Sequence, residues 1–322
     1  MPKLSIIMSC YYNGPNIPVT TKRLIDNEMN FPQDLDIEYV VIDDGSKDDT
    51  YEQLCNFRNA YPHKVKVIKL AANVGSYNAL LAGMAYATGD CCSIVAADLQ
   101  DPPELIPVMY GHWEKGYKLV IGQRENREDS WSDTLFSNIF NKMIRKFALP
   151  SIPKGGFDFV LFDKQLKDEV VRMDEGNSNC MYLLAWQGFP YVTVPYTRQK
   201  RQIGKSRWTL KKKIKLFIDS FVSFSFFPLR IISTAGIILG LLAILYAAFI
   251  LIARITGHIN VQGWSTLMIV FLFVSSFQMI ALGIIGEYVW RNLDAARKRP
   301  NYIIDTLLSN EEIDGDQSQI PH

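Results

Sequence analysis

The stretch S-I-V-A-A-D-L-Q-D-P-P-E, residues Ser93–Glu104, decides how the first part of this chain folds. It opens as an apolar, strand-like run, Ile94–Ala97, and then becomes rich in carboxylates around two prolines, which cannot continue a strand. At the carboxyl ends of parallel strands, acidic side chains line a ligand crevice, where they can hold a hard cation and, through it, a diphosphate. We expect this role for Asp98. Glu104, which follows the prolines, is better explained as a favourable charge at a helix start.

Strand and helix patterns alternate on both sides of this stretch. Strands separated by helices of this length need right-handed crossovers and a mostly parallel sheet covered on both faces. The sequence therefore predicts a doubly wound α/β nucleotide-binding architecture. The strand candidates are Lys3–Cys10, Ile37–Asp43, Val65–Leu70, Cys92–Ala97 and Leu119–Gly122, and the helix candidates are Pro18–Met29, Asp48–Ala60, Ser76–Ala87 and Pro103–Lys115.

The turn after the second predicted strand, V-I-D-D-G-S-K-D-D-T at residues 41–50, carries a second pair of acids. Two carboxylates at a strand end followed by Gly-Ser suit hydrogen bonds to a nucleoside, whereas a phosphate would favour a glycine-rich basic loop. Neither G-x-G-x-x-G nor the Walker pattern occurs in the sequence. We expect Asp44 to contact a nucleotide. The alternative is an Asx turn at the start of the next helix, and that role fits Asp48 better.

Charge and cysteine usage narrow the function classes. The formal net charge is +1, which gives no reason to expect nucleic acid, but nine Lys and Arg residues crowd the segment 198–215, directly before an apolar region. Five cysteines show no metal-ligand spacing, and an odd number with an adjacent pair fits a reduced, cytoplasmic compartment better than a disulfide framework. The first apolar stretch is too short and too strand-like to be a secretory signal.

Two apolar spans, Leu229–Ala253 and Ser265–Gly286, are each long enough to cross the hydrocarbon layer as a helix. Both flanks are rich in Lys and Arg, whereas the connector Arg254–Trp264 carries one Arg and one His, so the positive-inside rule places the flanks in the cytoplasm. Before the first span, Trp208–Phe227 mixes lysines with apolar residues at helical spacing and predicts an interfacial amphipathic helix, with a packed core helix as the alternative. Residues after Asp305 are expected to form a disordered acidic tail.

Six motifs, taken together, resemble those of the family 2 glycosyltransferases of the GT-A fold. They are most similar to the polyprenyl-phosphate glycosyltransferases, the group that includes dolichol-phosphate mannose synthase and the bactoprenol-phosphate glucosyltransferases. D-D-G-S alone is shared by many sugar transferases, but the combination is specific and covers nearly the whole chain. The motifs are Ser5–Asn13, D-D-G-S-K-D-D-T at 43–50, N-V-G-S-Y-N at 73–78, A-D-L-Q-D-P-P-E at 97–104, G-G-F-D-F at 155–159 and G-K-S-R-W at 204–208.

The resemblance implies an inverting transfer of a sugar from a nucleotide diphosphate sugar to a polyprenyl monophosphate. The bacterial type of the resemblance favours UDP as the nucleotide. It implies a requirement for Mg²⁺ or Mn²⁺ and places the protein in the inner membrane, with its catalytic domain in the cytoplasm. Whether the chain forms a homo-oligomer is left open. The predicted domains are a GT-A domain at 1–207, an interfacial amphipathic helix at 208–228, a transmembrane hairpin at 229–290 and a cytoplasmic tail at 291–322.

The resemblance also implies roles for individual residues. Asp98 and Gln100 would hold the metal, and Asp158 would act on the acceptor side, either as a base or by orienting basic side chains, with a purely structural role as the alternative. Arg124 and Arg127 are candidates for binding the acceptor phosphate because guanidinium groups bind phosphate bidentately; surface solubility is the alternative. The nucleotide-binding candidates are Tyr11, Asn13, Asp44, Ser76, Asp98 and Lys205.

Ala96 departs from the family pattern, because related enzymes often carry D-A-D where this chain has Ala96-Ala97-Asp98. The missing carboxylate favours one alternative from another class, a catalytically impaired membrane scaffold. A second alternative is a processive polysaccharide synthase. That reading requires a Q-x-x-R-W sequence and more spans, whereas Q-I-G-K-S-R-W at 202–208 has the wrong spacing.

Overall fold

The computed structural model describes the greater part of the chain, which forms two compact units: Met1–Ser220 together with Pro300–His322, and Phe221–Arg299. The interfacial helix predicted at 208–228 falls mostly outside the described residues. The boundaries predicted between the domains therefore stay predictions. The described residues are 1–98, 100–126, 142–150, 152, 159–173, 175–176, 178–199, 219, 221–256 and 263–309.

The first unit is built on one eight-stranded sheet in the order β7-β5-β6-β4-β1-β2-β3-β8. Six strands run in the same direction, whereas β6 and β8 are antiparallel to their neighbours. The predicted fold class, a mostly parallel α/β sheet with helices between the strands, is confirmed. The strands are β1 Lys3–Cys10, β2 Asp36–Asp43, β3 Val65–Leu70, β4 Cys91–Ile94, β5 Leu119–Asn126, β6 Val160–Asp163, β7 Tyr191–Thr197 and β8 Ile304–Leu308.

Helices follow most strands of this unit and cover the sheet. They are α1 Ile17–Asp26, α2 Thr50–Ala60, α3 Ser76–Tyr86, α4 Ile106–Glu114, α5 Lys164–Met173 and α6 Cys180–Trp186. Short 3-10 helices occupy Gly14–Asn16, Asn27–Asn30 and Pro103–Leu105.

The core lies where the central strands are covered on both faces. Strand β2 is buried at every position after its first residue, which is the pattern of a strand inside a parallel sheet. Helix α3 packs so closely on β1 and β2 that a Cβ at Gly83 would lie 2.6 Å from side-chain atoms of Ile42 and Ile7. Glycine at this position lets α3 lie directly on the strands whose carboxyl ends carry the predicted site.

The first residues of the predicted disordered tail were predicted wrongly. Residues after Asp305 were expected to be disordered, but Thr306–Leu308 belong to β8, which pairs antiparallel with β3. Residues 310–322 lie outside the described residues, so the prediction for them stays a prediction. Asp305 forms an ion pair with Lys69 at 2.6 Å, and the Ala71 amide donates to the Ile303 carbonyl at 2.9 Å. The segment after the apolar helices therefore covers an otherwise open sheet edge, which is a common way to protect such an edge from pairing with another chain.

The second unit consists mainly of two long helices, α7 Phe227–Ile255 and α8 Trp264–Arg297. Among the described residues, both are long and apolar enough to cross a membrane. Helix α8 runs past the predicted end of the hairpin at residue 290. Near that end, Tyr288 donates to the Ser225 carbonyl at 2.9 Å, and the guanidinium of Arg291 donates to Glu287 at 3.0 Å. Glu287 is thus paired with a residue one turn further along its own helix.

Candidate active site

The residues that follow β1, β2 and β4 meet at one edge of the sheet, because these three strands are parallel neighbours. The Asp44 amide donates to the Cys10 carbonyl at 2.9 Å and joins the ends of β1 and β2. The Val95 amide donates to Ile7 at 3.0 Å and continues the contact between β1 and the segment after β4. The carboxyl edge is where ligands bind in open α/β sheets, so it is the candidate site.

The turn after β1 is held in one conformation by its own side chains. Asn13 Oδ1 accepts a hydrogen bond from the Tyr11 amide at 2.9 Å, and the Tyr12 amide donates to Ser46 Oγ at 2.9 Å. Tyr12 has a positive φ of 53°, which is uncommon for a residue with a side chain and marks a constrained turn. The rings of Tyr11 and Tyr12 meet edge to face at 4.7 Å and are half-buried, so they offer an apolar surface beside the crevice. Asn13 thus positions Tyr11.

Asp44, predicted to contact the nucleotide, is buried and holds the loop before α3. Its Oδ1 accepts the Val74 amide at 2.8 Å, and its Oδ2 accepts the Gly75 amide at 3.1 Å and Asn73 Nδ2 at 2.8 Å. Gly45 follows with a φ of 67°, and a Cβ there would lie 2.7 Å from the backbone of this loop. Both carboxylate oxygens therefore have protein partners, and a nucleotide would have to share them.

Asp43 belongs to the pair of strand-end carboxylates noted in the sequence, but only Asp44 was predicted to contact the nucleotide. Its side chain is fully buried at the end of β2, and Oδ1 accepts the Ser46 amide at 3.1 Å. Oδ2 has no hydrogen-bond partner among the described residues. Burial raises the pKa of this carboxyl above its usual range, although the bonds from Ser46 oppose the change. The alternation of polar and apolar residues could not identify Asp43, because almost the whole strand is buried.

Ser76, another nucleotide-binding candidate, lies exposed in the first turn of α3, and Gly75 with a φ of 90° forms the N-cap. The Ser76 amide belongs to the first turn of the helix, whose N–H groups have no partner within the helix. Asp44 thus brings the amino end of α3 to the crevice by fixing the loop before it. The geometry is compatible with the predicted contact to the donor.

Asp98 and Gln100 lie in the loop after β4. Asp98 Oδ1 accepts the Gln100 amide at 3.2 Å, and Thr20 Oγ1 anchors the loop by donating to the Ala97 carbonyl at 2.9 Å. Gln100 Oε1 accepts a hydrogen bond from Arg198 Nη2 at 2.8 Å. The structure therefore brings the predicted metal ligands next to a guanidinium group that sequence reasoning placed only in a general basic cluster.

Glu104, in contrast, is turned away from this loop. It accepts two hydrogen bonds from Arg23, at 2.7 and 2.8 Å, and no side-chain cap forms at the 3-10 turn that contains it. Burial opposes ionisation, but the bonds from Arg23 lower the pKa of Glu104 below its ordinary value. Its position in the first turn was predicted, and its pairing with Arg23 was not.

Arg124 lies near the end of β5 with only 11% of its side chain exposed. Arg124 Nε donates to Tyr196 Oη at 3.1 Å, and Tyr196 donates in turn to Asp101 at 2.5 Å. Burial and the neighbouring Asp101 raise the pKa of Tyr196, so its hydroxyl stays protonated and can donate. Surface solubility does not explain an arginine with this burial. The remaining candidates, Arg127, Asp158 and Lys205, lie outside the described residues.

Comparison with known sequences identifies the family. The family model described as glycosyl transferase family 2 matches residues 5–171. The chain belongs to this family. Because the match contains the loops after β1, β2 and β4, the edge described above lies in the family's own domain.

Two curated relatives of this family 2 glycosyltransferase match it over nearly their full length. An uncharacterized glycosyltransferase of Synechocystis sp. is 33% identical, over 96% of this chain and 96% of the relative. A prophage bactoprenol glucosyl transferase homolog of Escherichia coli strain K12 is 31% identical, over 94% of this chain and 98% of the relative. Among solved structures, a mannosyltransferase from Pyrobaculum calidifontis in complex with GDP-Man and Mn²⁺ has a TM-score of 0.43 at 21% identity and covers 60% of this chain and 55% of its own.

The donor set of this family 2 glycosyltransferase fits a hard cation that is shared with substrate. Asp98 and Gln100 offer a carboxylate and an amide oxygen, which Mg²⁺ and Mn²⁺ prefer. Among the described residues, no group of three or more His, Cys, Asp or Glu side chains could hold a metal. A cation held here would take its remaining ligands from water and from the donor diphosphate, as Mg²⁺ commonly does. Because Ala96 supplies no carboxylate, such a cation would depend even more on ligands from the substrate.

Proposed function

We propose that this chain transfers one sugar, with inversion, from a nucleotide diphosphate sugar, UDP-linked, to a polyprenyl monophosphate at the cytoplasmic face of the membrane. The relative from Escherichia coli supports this acceptor, because it is named a bactoprenol glucosyl transferase homolog and the match extends through the two apolar helices. The observation that carries the proposal is the hydrogen bond between Gln100 and Arg198, which joins the loop of the predicted metal ligands to a guanidinium group in a single cluster.

The chemistry needs both halves of that cluster. An acceptor phosphate oxygen attacks the anomeric carbon, the bond from that carbon to the diphosphate breaks, and the nucleoside diphosphate leaves with the electron pair. A divalent cation would neutralise the charge that develops on the diphosphate. Asp98 and Gln100 would hold it. Arg124, together with Arg127, would bind the acceptor phosphate, whose charge at neutral pH already makes it a nucleophile.

The donor nucleoside would lie across the ends of β1 and β2. Tyr11, positioned by Asn13, would contact the base. Ser76 at the amino end of α3 and Lys205 would contact the remainder of the donor. Asp44 would act mainly by fixing the loop before α3, and the unpartnered oxygen of Asp43 would accept a hydrogen bond from the nucleoside. We retain Asp158 as the acceptor-side carboxylate of the G-G-F-D-F motif.

The orientation in the membrane is also a proposal. Helices α7 and α8 would form the transmembrane hairpin, and the basic segments on both sides would keep the catalytic unit in the cytoplasm. In this arrangement a water-soluble donor and a membrane-bound acceptor would meet at the membrane surface.

The test is sugar transfer by the purified full-length protein. A panel of radiolabelled nucleotide sugars is offered with a short polyprenyl phosphate and Mg²⁺ or Mn²⁺, and the lipid product is analysed by mass spectrometry. We expect one sugar per lipid and loss of transfer in excess chelator. A polymer product would support the processive synthase instead. Nucleotide binding without transfer from any donor would support the impaired scaffold.

A further inference from the structure

Arg124 on β5 is part of a buried chain of hydrogen bonds that continues through Tyr196 on β7 to Asp101, which we call the relay. Tyr196 lies on β7, and its hydroxyl accepts from Arg124 Nε at 3.1 Å and donates to Asp101 Oδ1 at 2.5 Å. Only 3% of Asp101 and 7% of Tyr196 is exposed. The Tyr196 ring meets Phe159 edge to face at 5.8 Å, which fixes the ring and with it the hydroxyl. The guanidinium of Arg124 is therefore oriented through two residues that were not among the predicted site residues.

Asp101 is also close to a second arginine. Its Oδ1 lies 3.9 Å from Arg198 Nε and 4.0 Å from Arg124 Nη2. Arg198 is joined to the metal-binding loop on its other side, through Nη2 and Gln100. One carboxylate thus lies between two guanidinium groups, one on β5 and the other directly after β7. Without it, the two positive charges would repel each other in a poorly solvated site.

The charge and the unused donor of this cluster indicate what it would bind. Two guanidinium groups and one carboxylate leave a net positive charge, to which a phosphate is the complementary ligand. Arg198 Nε is buried and has no hydrogen-bond partner among the described residues, and 3.9 Å from Asp101 is too long for a hydrogen bond. Buried donors normally have partners, so this one points to a group that the described residues do not supply.

We propose that Asp101 and Tyr196 are positioning residues that hold Arg124 and Arg198 at one spacing for the acceptor phosphate, with Arg198 as a second phosphate ligand. This inference rests on the proposed function. It couples the acceptor site to the metal loop, because Gln100 and Asp101 are adjacent in the chain and contact the same arginine. Because the two arginines that it positions would bind the acceptor phosphate directly, loss of the relay should affect the acceptor far more than the donor.

Two substitutions test the relay by steady-state kinetics with the full-length enzyme. Tyr196→Phe keeps the ring against Phe159 and removes only the hydroxyl, so the KM for polyprenyl phosphate should rise about tenfold, as expected for the loss of one hydrogen bond to a charged group. Asp101→Asn removes the shared counter-ion and should lower kcat/KM for the acceptor by about a hundredfold. The KM for the nucleotide sugar should change less than about twofold in both variants. The double variant should lose no more than Asp101→Asn alone, because the two residues act in one relay.

Glu169→Gln is the matched control. It removes a carboxylate that is also paired with an arginine, Arg172, on helix α5. Because this pair involves no residue of the relay, both KM values should stay unchanged. An unaltered acceptor KM in folded Tyr196→Phe, or a parallel rise in donor KM, would overturn the inference even if Asp101→Asn does not fold. If the wild type transfers sugar to polyprenyl phosphate and the variants keep the wild-type KM and kcat values, only this inference is overturned. A wild type that glycosylates no polyprenyl phosphate overturns the proposed function, and the relay's role falls with it.

Discussion

The two ends of strand β2 carry buried carboxylates with opposite surroundings. Glu38, near the amino end, accepts bonds from Ser5 Oγ at 2.5 Å and from Thr88 at 2.6 and 2.8 Å, and two lysines lie within 3.4 Å. Asp43, at the carboxyl end, has one oxygen without a hydrogen-bond partner among the described residues. The strand is continuous between them, so the difference lies in what surrounds each end.

This difference assigns Glu38 to the stability of the fold and Asp43 to ligand binding. Burial alone would raise the pKa of Glu38, but the hydrogen bonds from Ser5 and Thr88 and the charge of Lys66 lower it to about 2. Burial raises the pKa of Asp43, and the hydrogen bonds from Ser46 do not fully offset this effect. A buried charge whose bonding capacity is filled stabilises the fold, whereas an uncompensated one is a candidate for ligand binding. The predictions below set the two edges of the sheet against each other.

The largest effect is expected at the carboxyl edge, from Asp98→Asn. Removing the charge of a metal ligand should lower the rate of sugar transfer about a hundredfold or more, on the order of 3 kcal/mol of transition-state stabilisation. Thermal unfolding should be unchanged, because the side chain is half-exposed and its loop is anchored by Thr20. Initial rates at saturating Mn²⁺ measure the loss. Full activity of the variant would exclude Asp98 as a metal ligand.

A somewhat smaller effect, on stability, is expected at the amino edge from Glu38→Gln. The loss of the charge should lower the free energy of unfolding by roughly 2 kcal/mol, because Lys3 and Lys66 lose their buried partner. Denaturant titration in detergent measures this change. The transfer rate per folded molecule should stay the same, and a large loss of turnover at full stability would contradict the assignment.

The pH dependence of unfolding checks the same residue. The pKa of Glu38 is about 2 in the folded protein and its ordinary value is 4.5, so its stabilisation is fully present above about 4.5 and is lost as the pH falls towards 2. The wild type should lose stability more steeply than Glu38→Gln over this interval. Parallel curves would mean that Glu38 does not carry the effect.

The smallest effect is expected from Asp43→Asn. The substitution keeps the size of the side chain but removes the charge, so nucleotide affinity should fall about tenfold, roughly 1.4 kcal/mol. Stability should be unchanged or slightly higher, because a charge without full compensation is no longer buried. Calorimetric titration with UDP or GDP measures the affinity. Unchanged affinity together with a marked loss of stability would assign Asp43 a structural role instead.

Most of the first unit could be predicted from sequence because its strands are β-branched runs bounded by turn residues. The predicted bounds of β1 and β3 agree with the structure. Strand β4, in contrast, ends at Ile94, three residues earlier than the predicted end at Ala97. Strand β8 was missed. It is a strand because it pairs with β3, and its own composition, next to an acidic tail, favoured disorder.

The site was predicted in part for the same reason. Asp98 and Gln100 follow a strand and Arg124 lies near the end of one, so the topology brings them to one edge. The contact of Asp101 with Tyr196 joins residues 95 positions apart and depends on β5 pairing with β7, which no local pattern reveals. The position of β8 after the apolar helices also matters for truncated forms of the protein. Removing everything from Phe217 onward would delete a strand of the catalytic sheet along with the apolar helices.

The most direct test of the contrast between the two edges is the Mn²⁺-dependent nucleotide affinity of two variants, Asp98→Asn and Glu38→Gln, measured beside their free energies of unfolding. The ligand is UDP or GDP, whichever the wild type binds more tightly. We predict that Asp98→Asn loses the Mn²⁺-dependent part of the affinity and keeps its stability, whereas Glu38→Gln keeps the affinity and loses stability. If both variants lose affinity and stability together, the two edges do not divide function from stability and the account is wrong.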